Sequence, residues 1–255
     1  MRFNPISSVT LMAVLILVGL AGLSLRAQET SPAERYQDCM VSIGVNAEKA
    51  FDAAVEWRDL GGGDAAEHCV AAALLALGYY EDAAGRLEEL AQRPTDQIEL
   101  RTGLLRQAAQ GWSLAEKPER AFAALTAAIQ VDEKNPKLYL ERAVIQADMG
   151  LYGRAVDDLS RCLVLDPVSV DAYAFRASAY RYLDQLDLAA ADLNHALEMM
   201  PAHLEARLER GIVRRLQGDD VGARLDWTLV LDISPDSPTA ESARRNLELL
   251  DVKVE

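Results

Sequence analysis

Apolar residues in this chain recur at helical spacing, and the helical stretches themselves recur. Small side chains hold two columns with a step of 34 residues: Ala121, Ala155, Ala189 and Ala223, then Ala109, Ala143, Ala177 and Gly211. A column of large side chains runs beside them, Leu125, Leu159, Leu193 and Trp227. Pro167, Pro201 and Pro235 share the step, and one step earlier Glu133 lies in a turn that closes with Asn135-Pro136. Small residues at two places per unit let two helices approach closely, and the large residue fills the space beside them. A period of this length with two helices per unit predicts a solenoid of helical hairpins.

The same pattern sets the elements. Helices are expected in pairs at 64–78 with 80–92, 100–115 with 118–131, 136–149 with 152–165, 170–183 with 186–199, and 204–217 with 220–233. Gly78, Pro118, Gly150 and Gly218 mark turns inside pairs, and Pro136, Pro167, Pro201 and Pro235 mark the joints between them. Two weaker helices are expected at 33–42 and 46–60, the second capped by Asn46. Gly61-Gly62-Gly63-Asp64 breaks the chain, with Asp64 expected to cap the next helix. An amphipathic stretch from Ser237 to Leu250 reads as a terminal helix, with Ser242, Arg244, Arg245 and Glu248 facing water.

Charge and cysteines narrow the setting. A net charge of −14 over 255 residues argues against a nucleic-acid surface and against adhesion to an anionic bilayer. The acidic residues are scattered, as on a solvated face. At the N-terminus, Arg2 precedes an uncharged run from Ile6 to Leu25 and then Arg26-Ala27-Gln28. This reads as a secretory signal spanning residues 1–27 and cut after Ala27, although Leu25 stands where a small residue is preferred; uncut, the run is long enough to anchor the chain in a membrane. Either way the rest of the chain is expected outside the cytoplasm, periplasmic or secreted. In an oxidising compartment three cysteines imply one pair and one leftover. Cys162 shares its column with Ala128, Ala196 and Val230, so it reads as a small core residue. That leaves Cys39 with Cys69 as a disulfide, and the rival is a metal site using both with His68, which lacks a fourth ligand.

The unit Asn135-Pro136, Tyr139, Glu141-Arg142-Ala143, Gly150, Tyr152, Ala155-Val156-Asp157-Asp158, Cys162 and Leu165-Asp166-Pro167 resembles a tetratricopeptide repeat. Glu209-Arg210-Gly211 with Ala223, Asp226, Asp232 and Pro235 repeats it. The resemblance is specific over 100–235, recognisable over 64–94 and weak over 33–60. It implies an all-α, right-handed superhelix whose first helices line a concave groove for peptides or extended segments. The expected organisation is a degenerate helical pair at 28–63, the repeat solenoid at 64–235, and a capping helix and tail at 236–255.

Helical phase within that fold places Arg106, Gln110, Leu140, Val144, Ala147, Ala174, Ser178, Arg181, Tyr182, Leu208, Ile212 and Arg215 on the inner surface. An apolar stripe flanked by arginines suits a partner segment that carries carboxylates. Some family members clamp a C-terminal carboxylate with lysine and asparagine, but Leu140 and Val144 occupy such places here, so that mode is not expected. Arg142, Arg176 and Arg210 recur with Asp158, Asp192 and Asp226, while the unit at 100–133 has Ala108 and Ala124 in both places. The joint loss reads as structural ion pairing within each unit. No phosphate loop, GxSxG, HExxH or paired CxxC occurs, and the three histidines form no ligand pattern, with His195 and His203 expected on the surface of one joint. The sequence therefore points to a non-enzymatic scaffold or adaptor of the cell envelope, without cofactor or metal, that holds a protein or peptide. The alternatives are a membrane-tethered envelope assembly factor that keeps its N-terminal anchor and, from another class, a hydrolase or other enzyme with an unrecognised site.

Overall fold

The computed structural model describes residues 31–252, so the expected signal or anchor at 1–27 lies outside the described residues. Those residues form thirteen helices and no strand. The N-terminal four are α1 (Pro32–Val45), α2 (Ala47–Asp59), α3 (Gly63–Ala76) and α4 (Tyr80–Gln92). Four hairpins follow: α5 (Ile98–Leu114) with α6 (Pro118–Val131), α7 (Pro136–Asp148) with α8 (Tyr152–Leu165), α9 (Val170–Tyr182) with α10 (Leu186–Met199), and α11 (Leu204–Leu216) with α12 (Asp220–Ile233). The last helix is α13 (Pro238–Asp251). Each helix packs on the next in sequence, and first helices also touch along their own row, as α1 with α3, α9 with α11 and α11 with α13. The apolar core accordingly runs as four clusters in chain order rather than one central mass. This is an all-α solenoid of helical hairpins closed by a C-terminal helix, whose Ala240 and Ala243 are buried.

The repeat columns occupy the interior of each hairpin. Ala109, Ala143, Ala177, Leu125, Leu159, Leu193 and Trp227 are all at most 3% exposed. Where the large residue grows to tryptophan, the small one shrinks to glycine: a Cβ on Gly211 would lie 2.7 Å from Trp227 Cδ1. The indole N–H, enclosed with the ring, donates to the Leu208 carbonyl at 3.1 Å. Internal turns also keep register, since residues 116, 150, 184 and 218 all have positive φ, with Glu116 and Asp184 adopting what Gly150 and Gly218 adopt without a Cβ to accommodate.

A polar clamp ties the units together. Arg142 donates Nε and Nη2 to the two oxygens of Asp158 at 2.7 and 2.8 Å. Arg176 does the same to Asp192 at 2.8 and 2.8 Å, and Arg210 to Asp226 at 2.9 and 2.7 Å. The remaining Nη1 of each arginine reaches the second helix of the preceding unit, at Thr126, Ser160 or Asn194. Each fork therefore holds three helices, which a simple intra-unit pair would not do.

The N-terminal end is held differently. No residue of α1 is buried. Its midpoint is joined to α3 by the Cys39–Cys69 disulfide, which consumes both thiolates that the rival metal site needed. One turn away, the Tyr36 hydroxyl donates to His68 Nδ1 at 2.8 Å, and His68 Nε2 donates to Gln107 Oε1 of α5 at 3.1 Å. Two expected details differ. Helix α3 begins at Gly63 with Gly62 as its cap, because Gly62 lies under Trp57 and a Cβ there would fall 2.6 Å from Trp57 Nε1; Asp64 instead pairs with Arg93. His203 is not a surface residue, since its side chain is 11% exposed, accepts from Ala206 N as the cap of α11 and bonds Asp171.

Three outcomes follow for the isolated protein. Gly211→Ala should cost about 1–3 kcal/mol by overpacking, and adding Trp227→Leu should recover part of it, giving a coupling of about 1 kcal/mol or more in a denaturation double-mutant cycle. Reducing the disulfide should release α1 alone, because a 14-residue helix without buried side chains is marginal in water; hydrogen exchange should rise at 32–45 while α5 to α12 stay protected. Burial holds the His68 pKa below its ordinary 6.5, against a smaller opposing effect of Gln107. The unfolded chain thus takes up the proton first as pH falls, and stability should decline once pH drops below about 6.5. In urea unfolding, His68→Gln should flatten that part of the pH profile.

Candidate functional site: the inner face of the first helices

The first helices α5, α7, α9 and α11 lie side by side, so residues one repeat step apart form rows across them. Along one row stand Gln110, Val144, Ser178 and Ile212, and along another Ala147, Arg181 and Arg215. Leu140 and Ala147 are half-buried against the main core cluster, and Leu208 and Ile212 against the C-terminal one, so their exposed edges alone are available to a partner. Ala174 is buried at 8% exposure and belongs to the core rather than to the surface. Its small side chain lies where neighbouring units close on each other.

Exposed aromatic and aliphatic side chains stand on α9 and α11 of this row and on the C-terminal helix α13. Tyr182 is 56% exposed, Phe175 44%, Leu216 57% and Leu249 57%. Phe175 and Tyr182 are seven residues apart on α9 and share a face. Tyr182 is held rigidly: its ring stacks on Tyr152 with centroids 4.3 Å apart and planes within 4°, and the Arg181 guanidinium lies 4.2 Å from its centroid. A preorganised aromatic plate of this kind loses little freedom when it is covered.

The charges are arranged otherwise than the sequence alone suggests. Arg106 on α5 is bidentate to Glu141 on α7, with Nε at 3.0 and 2.8 Å from the two oxygens. Hydrogen bonding to Glu141 pushes its pKa further up despite partial burial. Arg181 on α9 donates Nε to Glu209 on α11, both side chains being under 20% exposed. Two of the three inner-face arginines are thus neutralised by glutamates of the next unit. The third, Arg215, is exposed and reaches the Leu249 carbonyl at 3.4 Å. Sequence reasoning missed Glu141, Phe175 and Glu209, although they too are spaced by one repeat step. The step puts them in one column, but the arginine partners of Glu141 and Glu209 lie 35 and 28 residues away, so the column alone does not show the pairing.

Elsewhere, a cleft of about 410 Å³ opens beside His68, bordered by Tyr36, Arg93, Thr95, Gln97 and Leu104. The joint between α4 and α5 runs over Arg93–Gln97, one residue longer than the joints that follow. His68 spends both ring nitrogens on structural hydrogen bonds there, and the adjacent Cys69 is in the disulfide, so the cleft pairs no base with a nucleophile.

No protein-family model matches the sequence. Rat RNA polymerase II-associated protein 3 is 26% identical over 120 residues, 47% of this chain and 18% of that protein. A FAM10 family protein of Arabidopsis thaliana is 32% identical over 87 residues, 34% of this chain and 20% of that one. The chain thus spans about a fifth of either of these relatives. Among solved structures, MamA superposes with a TM-score of 0.57 at 16% identity, covering 65% of this chain and 95% of MamA. The Cut9 and Hcn1 hetero-tetramer of APC/C superposes with a TM-score of 0.62 at 15% identity, covering 85% of this chain and 42% of the matched one. YrrB, described as a TPR protein with an unusual peptide-binding site, gives 0.53 at 17% identity, covering 71% and 91%. These superpositions establish the shared fold. Human tetratricopeptide repeat protein 36 is 31% identical over 147 residues, which is 53% of this chain and 70% of the human protein. With the hairpin geometry, that similarity makes the chain a member of the tetratricopeptide repeat family.

Proposed function

We propose that this protein is a non-enzymatic adaptor that holds a segment of a partner protein against the inner face of its first helices. The observation that carries this reading is the exposure of Phe175 and Tyr182 on one face of α9, with exposed Leu216 one repeat step beyond Tyr182 on α11. Apolar side chains grouped on a firm surface mark a contact site more than they serve a solitary solenoid. The peptide-binding site described for YrrB, a protein of the same fold, supports it. Because Glu141 and Glu209 already satisfy Arg106 and Arg181, the partner is recognised chiefly by apolar or aromatic anchors, with Arg215 left to receive a carboxylate.

The site of action in this reading is the cell envelope. The uncharged run from Ile6 to Leu25 behind Arg2, and a disulfide between Cys39 and Cys69, support export. Retention of that run as an anchor is the second form of the same proposal; it would present the repeats at a membrane surface.

Both parts are open to test. A photo-crosslinking residue at position 182 should trap a partner in the native host, while the same probe at Leu188, exposed on the outer helix α10, should not. The trapped segment, made as a peptide, should bind Tyr182→Ala at least about tenfold more weakly. Adducts from 188 alone would move the site to the outer surface. Sequencing the mature chain should give Gln28 first if the signal is cut; an intact N-terminus in the membrane fraction would establish the anchor, and one in the cytosol would remove the envelope from the account.

A further inference from the structure

The last hairpin departs from its neighbours at one place, and the departure is all of one sign. In α9, Arg176 sits between two tyrosines, 5.6 Å from the Tyr173 ring centroid and 5.9 Å from that of Tyr180. One repeat step on, in α11, both tyrosine positions are arginine: Arg207 and Arg214 flank Arg210. The spacing of three and four residues puts all three on one helix face.

They converge on one carboxylate. Asp226 is 0% exposed. Arg210 takes both its oxygens, Arg214 Nη1 donates to Oδ2 at 2.7 Å, and Arg207 Nη1 lies 3.5 Å from Oδ1. Arg207 Nε also donates to the Pro201 carbonyl, and Arg214 Nη1 to that of Gly222. The nearest further carboxylate is Asp219, exposed and 3.9 Å from Arg214 Nε. The Nη2 groups of Arg207 and Arg214 meet no protein acceptor among the described residues. Three guanidiniums, only 14%, 16% and 28% exposed, therefore share one enclosed counter-charge. Partly buried positive charge without a matching anion is unfavourable, and unused guanidinium N–H pairs fit the oxygens of phosphate or carboxylate.

We infer that the arginine cluster of α11 is a binding site for an oxyanion, a phosphoryl or carboxylate group delivered from solution or by a partner. It lies between α10, α11 and α12, away from the inner face, and does not depend on the groove reading. Asp226 fixes the cluster from within, Arg210 holds Asp226, and Arg207 and Arg214 present the spare donors.

The test uses the internal control that the chain provides. Arg207→Tyr with Arg214→Tyr installs at these positions the residues that the preceding unit carries around its own Arg–Asp fork, Tyr173 and Tyr180. In thermal unfolding of the full chain, about 10 mM inorganic phosphate should raise Tm by about 3–5 °C over chloride of equal ionic strength. The double variant should lose that rise. Succinate in place of phosphate separates the sources: a rise with both supports any oxyanion, a rise with phosphate alone a phosphoryl ligand, and a rise with succinate alone a carboxylate. Should the double variant not fold by circular dichroism, Arg207→Gln leaves the Arg210–Asp226 fork intact and should at least halve the rise. No rise beyond chloride in the wild type, or an equal rise in a folded variant, overturns the site.

Discussion

The fold depends on one contact made again and again: a small residue on the first helix of each hairpin faces a large one on the second. Ala143 and Leu159, Ala177 and Leu193, and Gly211 and Trp227 are the successive versions, each enclosed in the hairpin. The contact sets how closely two helices approach, and it leaves each hairpin with an apolar flank that only another hairpin can cover. Stacking in series follows, and α13 ends it by burying two alanines on one side and turning arginines to water on the other. A surface built this way gains one row of side chains from each first helix. That is how Tyr182 and Leu216, on different hairpins and one step apart, come to stand in one row.

The polar residues work on the same step. The Arg–Asp fork with its third bond to the preceding unit locks neighbours in register, and its variations distinguish the units. The hairpin of α5 and α6 has Ala108 and Ala124 there, both buried, and relies on apolar packing around Trp112 and Leu125. The hairpin of α11 and α12 goes the other way and gathers three arginines around Asp226. On the inner face the ion pairs run between first helices, Arg106 to Glu141 and Arg181 to Glu209, and they cancel charge that would otherwise have selected the partner.

Much of this was legible before any coordinates, because a fixed step multiplies weak signals. The helices of the repeats, their turns and joints, the Arg–Asp pairs within units from Arg142, Arg176 and Arg210, and the pairing of Cys39 with Cys69 all follow from columns or from cysteine count, whereas the third bond of each arginine to the preceding unit does not. What escaped depends on side-chain reach rather than on step. Glu141 takes Arg106 across 35 residues and Glu209 takes Arg181 across 28, so no single register links both pairs. Asp64 has the residue type of a cap, but Trp57 packs where only a glycine fits and moves the cap to Gly62; His203 stands in a polar joint, but its ring turns in to close α11. Ala174 shows the opposite failure: helical phase faces it inward to the groove, but an alanine is too short to reach past its neighbours.

Series stacking makes a sharp statement about how damage spreads, and Leu159→Ala is the cleanest place to inflict it. The side chain is 1% exposed in the middle of the array, so its loss should cost about 2–5 kcal/mol locally. Hydrogen exchange followed helix by helix should quicken most in α7 and α8, less in α6 and α9, and not at all in α3 and α13. Equal quickening in all thirteen helices would contradict the account, because it would mean that the hairpins share one indivisible core.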